Sequence, residues 1–158
     1  VIELANDYFT FMSRSAAEVE TVLGDARLTL EREAPQGFDV LVLDAFSGDA
    51  IPIHLLTREA MSIYVRHLNE DGIVAIHISN LYFNLEAIVS GLASYDAFET
   101  SVVEGESTNI GSLTSTWVLL ARKRATLQNA LGEYRPIVPA GKPVRWTDDR
   151  SNLMEALK

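Results

Sequence analysis

Apolar residues fall along this chain in short runs that alternate with segments of helical period. The strongest run is Phe38-Asp39-Val40-Leu41-Val42-Leu43. Nearly all of it is apolar, as expected for a strand covered on both faces. Residues 73–78 read as a second buried strand, and residues 98–103 and 116–121 as two more. Residues 1–4 read as a short strand. Residues 19–23 read as an alternating one, stopped by Gly24. Asn6 or Asp7 can cap a helix with apolar positions Tyr8, Phe9, Phe11 and Met12. Residues 26–34 predict another helix, closed by Pro35 and Gly37. Thr57 caps a third, with Ala60, Met61, Tyr64, Val65 and Leu68 on one side and Asp71-Gly72 at its end. Leu85, Ile88, Val89 and Leu92 recur at helical spacing.

This alternation predicts an α/β fold, a mostly parallel sheet with helices on both faces. The last two strands follow one another without a helix, across the polar loop 104–115, so they pair antiparallel at one end of the sheet. Arg122-Lys123-Arg124 reads as a solvated strand exit. After it come a helix, an extended stretch with Pro136, Pro139 and Pro143, and a short segment with Leu153, Met154 and Leu157. Residues 1–158 are read as one domain, with 125–158 an extension packing on it.

Composition narrows the function classes. The 158 residues fit one domain, and 47% hydrophobic with 22% charged residues is ordinary for a soluble protein. No apolar run approaches the ~20 residues of a membrane helix, and the first residues lack a signal peptide's basic-then-apolar layout. With no cysteine there is no thiolate chemistry, and a reducing compartment is allowed. The net charge of −9 argues against nucleic acid. It suits a cationic substrate, or simply keeps the protein in solution. Three dispersed histidines argue against a metal site. Ser47, Ser79 and Ser151 sit in no nucleophile elbow.

Ligands of open α/β sheets sit beyond the carboxyl ends of the strands. Four such ends carry polar groups: Glu3, then Gly24-Asp25, then Asp44, then His77 with Ser79 and Asn80. An acid there can accept both hydroxyls of a ribose. Gly24 lets backbone approach a ligand, and Asp25 can accept from an adenine amino group. Each acid is also a common turn or cap residue, and their recurrence at consecutive strand ends favours the ligand site. Between Asp44 and Pro52, Asp44 and Asp49 flank a small turn that can hold an amine and take its proton, or cap the following backbone. His54 either lines the pocket mouth or is a half-buried structural histidine. His77 faces a helix layer or the strand end.

The motifs Val1-Ile2-Glu3-Leu4, Tyr8-Phe9 and Gly24-Asp25-Ala26-Arg27 resemble the spermidine synthase family. Phe38 to Phe46 followed by Ile51-Pro52-Ile53-His54-Leu55-Leu56-Thr57 is similar to the spermidine-synthase-like proteins that bacteria often carry fused to a membrane domain. His77-Ile78-Ser79-Asn80 and Trp146-Thr147-Asp148-Asp149-Arg150-Ser151-Asn152-Leu153 fit the same subgroup, so the resemblance covers nearly the whole chain. It implies the fold of class I S-adenosylmethionine-dependent methyltransferases. It also implies transfer of an aminopropyl group from decarboxylated S-adenosylmethionine to putrescine or a related amine, without a metal. In this frame Asp44 is the catalytic acid-base group. Glu3 holds the ribose and Asp25 the adenine, with Gly24, Ala26 and Ala45 beside them. Asp49, His54, Asn80, Tyr82, Asp148 and Asp149 fall on the amine side, although Asp148 and Asp149 can instead cap the last helix and Tyr82 can sit in the core. The implied partners are a small nucleoside and a polyamine, and family members are often dimers. The implied place is the cytoplasm, free or as the cytosolic part of a membrane-anchored protein.

Two departures stand out. The family's first strand and glycine-rich loop are expected just before Val1, so the domain reads as N-terminally truncated. Where a true synthase has a second Asp, three residues after the catalytic one, this chain has Ser47, and the nearest acid is Asp49. The 77–80 stretch also lacks the acid of a true synthase. Two alternatives therefore stay open: methyl transfer from S-adenosylmethionine through the same nucleoside contacts, and a non-catalytic nucleoside- or polyamine-sensing module of a larger protein.

Overall fold

The computed structural model describes residues 2–45, 52–80, 82–105, 114–137 and 143–157. The elements run α1 (Ile2–Tyr8), α2 (Ala26–Arg32), β1 (Phe38–Leu43), a 3-10 turn (Ile53–Leu55), α3 (Arg58–Arg66), β2 (Leu68–His77), α4 (Leu85–Ala93), β3 (Glu99–Glu104), β4 (Thr116–Ala121), α5 (Arg124–Leu131) and a last 3-10 turn (Leu153–Ala156). The four strands form one sheet in the order β1-β2-β4-β3. β1 and β2 are parallel, while β4 is antiparallel to both β2 and β3. The fold class is the expected one, and the described parallel part is a single pair. None of the described helices is long and apolar enough to cross a membrane.

Side-chain alternation along the strands sorts the core into two layers. Leu41, Leu43, Val74, Ile76, Val118 and Leu120 face one way, onto Met61 and Tyr64 of α3 and Ile88, Val89 and Leu92 of α4. Ile73 and Ala121 face the other way, onto Leu127 of α5. The C-terminal segment completes the first layer with Val144 and Trp146. Val144 N–H donates to the Ala87 carbonyl (3.0 Å). A Cβ on Gly91, one helical turn further along, would run into the Val144 carbonyl, so only glycine lets the two backbones lie together here.

Side-chain caps start α2, α3 and α4. Thr57 Oγ1 accepts from Ala60 N–H, Asn84 from Ala87, and Asp25 from Leu28. Each satisfies one of the amide groups a first turn leaves without an intrahelical partner. At the other end of α2, Arg66 donates to the Leu30 and Glu31 carbonyls (2.7 and 2.9 Å), which fastens α2 to α3.

Several expectations are corrected. Residues 2–4 are not a strand: Ile2–Tyr8 is helical. The helix expected around Phe9 to Met12 is a turn, closed by Arg14 N–H to the Thr10 carbonyl. Residues 19–23 are extended but join no ladder among the described residues. A strand needs a neighbour to take its N–H and C=O groups. Without one, an apolar run either closes its bonds locally as a helix or stays solvated. The full covering of β1 is corrected as well. It forms one edge of the sheet, and Val40 and Val42 remain 54% and 56% exposed because no described element lies over that face. Finally, the helix after Thr57 stops at Arg66, and β2 begins at Leu68 instead of Ile73. Phe38 N–H, donating to the His67 carbonyl (2.7 Å), starts the parallel pairing earlier than the apolar pattern suggests.

Candidate active site

Two polar groups arise from this architecture. The first lies at the carboxyl ends of β1 and β2. Register pairs Leu43 with Ile76, so the next residues, Asp44 and His77, stand side by side. His77 Nδ1 lies 2.9 Å from Asp44 Oδ1. The carboxylate is 55% exposed and the imidazole 23%. The far face of the imidazole stacks on Trp117, its partner across the β2–β4 ladder (centroids 4.8 Å apart, 24° between planes).

The second group joins α2, the 3-10 turn at Ile53, the start of α3 and the C-terminal segment. Arg27 grips Asp148 through two bonds (2.7 and 2.5 Å) and also donates to the His54 carbonyl (2.7 Å). Thr57 Oγ1 donates to Asp148 Oδ1 (2.8 Å). Asp25 Oδ2 meets His54 Nε2 at 2.8 Å, and its Oδ1 accepts from Leu28 N–H. Arg27, His54, Thr57, Asp148 and Ser151 line an open cleft of about 530 Å³ that does not include Asp44. The Leu28 amide, followed by His54, holds the Asp25 carboxyl below the usual carboxylate range. Arg27, followed by Thr57, does the same to Asp148. Each Asp25 oxygen keeps a second lone pair, so the acid can still accept from a ligand amino group.

The expected site residues therefore separate. His54 and Asp148 line the cleft, Asp25 is bonded to His54, and Ala26 follows Asp25 as the first residue of α2. Gly24, just before Asp25, has φ +145°, a left-handed value that suits glycine. Asp44 stands with His77, and Ala45 follows it, exposed. Glu3 lies exposed on α1, so its expected strand-end place does not hold, and no described bond links it to either group. Asn80 Oδ1 accepts from the Tyr82 and Phe83 amides (both 2.9 Å), a local turn, and Tyr82 is exposed and not in the core. The last 3-10 turn is capped by Asn152, not by Asp148 or Asp149. Asp149 sits exposed in the tight turn between Thr147 and Arg150. Asp49 and Ser47 lie outside the described residues. Sequence reasoning missed Arg27 as the partner of Asp148, and nothing local marks a pair so far apart in the chain.

The Arg27–Asp148 clamp carries a testable consequence. A carboxyl with a depressed folded pKa stabilises the fold above its unfolded value, near ~3.9. That contribution disappears as pH falls through the folded value. Asp148→Asn is expected to lower stability at pH 7 by on the order of 1 kcal/mol, because Asp148 is 42% exposed and water screens the pair. At pH 3 the penalty shrinks. Urea midpoints at the two pH values check this, and an equal loss at both would count against the clamp. Asp25 titrates in the same direction, so some acid dependence persists in the variant.

A polyamine aminopropyltransferase of Vibrio vulnificus (strain CMCP6) is 37% identical over 76 residues, 47% of this chain and 25% of that protein. The crystal structure of spermidine synthase from Thermotoga maritima superposes with a TM-score of 0.61 at 16% identity, covering 94% of this chain and 50% of that one. The fold is that of the spermidine synthases. A spermidine synthase in complex with the transition-state analogue AdoDATO gives a TM-score of 0.59, also at 16% identity, with the same coverage. The chain thus spans a quarter of the curated relative and half of the two solved structures. No protein-family model matches it.

Proposed function

We propose that this chain carries the catalytic acid and part of the nucleoside pocket of an aminopropyltransferase, with decarboxylated S-adenosylmethionine as donor and a small amine such as putrescine as acceptor. The observation that carries the reading is Asp44, at the carboxyl end of β1, where an open α/β sheet receives ligands. The local identity to an aminopropyltransferase and the binding of AdoDATO by a spermidine synthase of this fold support it.

The chemistry follows from the charges. An alkylammonium, with a pKa near ~10, has no lone pair to attack with. Asp44 takes one of its protons. The freed amine nitrogen then bonds to the methylene carbon next to the sulfonium, and the carbon–sulfur bond breaks with its electron pair going to sulfur. The products are a secondary ammonium and neutral methylthioadenosine. The sulfonium is already an activated leaving group, so no metal is required. In this reading Asp25 holds the adenine, with Gly24, Ala26 and His54 beside it. Asn80, Tyr82, Asp49 and Asp149 remain on the amine side. Asp148, neutralised by Arg27, holds the cleft together.

Calorimetric titration with methylthioadenosine, followed by an assay with decarboxylated S-adenosylmethionine and putrescine, tests the proposal. Binding together with release of methylthioadenosine and formation of a longer polyamine is the expected result. Binding without product would replace it with a sensing module, and a methylated product with methyl transfer.

A further inference from the structure

We infer that His77 is a positioning residue for Asp44: its Nδ1–H holds one carboxylate oxygen so that the other meets the acceptor amine. This rests on the aminopropyl-transfer reading of Asp44.

Parallel neighbours in register present their side chains on the same face, so the residues after the Leu43–Ile76 pair emerge together. The 2.9 Å separation of His77 Nδ1 and Asp44 Oδ1 is a hydrogen bond. An ionised carboxylate can only accept, so Nδ1 is the donor and carries a proton. The ring cannot easily turn away, since Trp117 covers one of its faces in a near-parallel stack. Trp117 is itself placed by the antiparallel pairing of β4 with β2. Three strands therefore converge on one carboxylate: β1 supplies it, β2 supplies its hydrogen-bond donor, and β4 supplies the backing for that donor.

Exposure gives the assembly a direction. The imidazole is the more buried member and the carboxylate the more open one. Oδ1 is engaged from the protein side, which leaves Oδ2 for an approaching ammonium. Such a hydrogen bond needs no movement when the proton arrives. Asp44 takes it on Oδ2, and Oδ1 continues to accept from Nδ1–H. A side chain held in this way stays close to the productive geometry, where small misplacements are costly. An exposed Asp at the end of an edge strand would otherwise sample several rotamers.

Two variants and a spectroscopic readout test this. His77→Ala is expected to lower kcat about tenfold or more while the KM for decarboxylated S-adenosylmethionine and the affinity for methylthioadenosine stay near wild type. His77→Asn, whose side-chain amide can donate from nearly the same place as Nδ1, is expected to recover most of the loss. A change in KM alone, or a His77→Asn variant no better than His77→Ala, would overturn the positioning role. In the nitrogen-labelled protein, the His77 imidazole is expected to carry its proton on Nδ1, and that resonance should move upfield in Asp44→Ala. A proton found only on Nε2, or a resonance indifferent to Asp44→Ala, would refute the pair. This readout does not depend on turnover. If the wild type transfers no aminopropyl group, the functional reading fails, and the Asp44–His77 pair is still decided by the resonance.

Discussion

Asp44→Asn is expected to reduce aminopropyl transfer by about 10²–10⁴-fold, the usual worth of a positioned proton acceptor, with methylthioadenosine binding nearly unchanged. The substitution is nearly isosteric. An Asn carbonyl oxygen can still accept from His77 Nδ1, so the local arrangement at the ends of β1 and β2 survives. What disappears is the negative charge that attracts the ammonium and the basic oxygen that takes its proton. Because Asp44 lies outside the cleft formed by Arg27, His54 and Asp148, the nucleoside side should not register the change. Initial rates at saturating donor and amine check this, alongside calorimetry with methylthioadenosine. Unchanged turnover would remove Asp44 from the mechanism, and loss of nucleoside binding would mean that the two groups are one site.

Trp146→Ala is expected to destabilise the protein by about 3–5 kcal/mol, the range for removing a large buried aromatic side chain. Trp146 is fully buried, although it belongs to a C-terminal segment with no regular structure of its own. Its backbone carbonyl accepts from Arg58 N–H (3.0 Å), satisfying a first-turn amide of α3. Its neighbour Val144 lies against the bare backbone at Gly91. Emptying this position leaves a void between α3, α4 and the segment that crosses them. The indole Nε1 has no hydrogen-bond partner among the described residues, so the ring contributes through packing. Trp146→Phe should therefore cost much less than Trp146→Ala. Urea midpoints at constant slope measure both. A loss of about 1 kcal/mol or less for the alanine variant, below the range for a buried aromatic, would show that the segment contributes little to the core.

The comparison of sequence with structure is instructive at particular residues. Thr57 was legible as a cap because a hydroxyl three residues before an apolar-periodic run has a local consequence. α4 was legible because Leu85, Ile88, Val89 and Leu92 mark a single helical face. β4 was legible at its full length. The N-terminal strands failed for an equally physical reason. Residues 1–4 and 19–23 have strand-like composition, but no described strand takes them up. Asp25 is the helix cap that its residue type allowed: it accepts from Leu28 with one oxygen and reaches His54, 29 residues on, with the other.

By itself, the sequence determined the α/β class, the positions of β1, β4 and α4, the start of α3, and the placing of Asp44 at a strand end. These are written in periods of two and 3.6 residues and in caps a few residues long, which neighbouring residues settle among themselves. Only the tertiary structure decided that His77 stands beside Asp44, that Arg27 holds Asp148 from the far end of the chain, and that no described element covers Val40 and Val42. Pairings across 33 and 121 residues depend on strand register and on which elements lie over each face of the sheet. Those are properties of the assembled layers, and no local pattern encodes them.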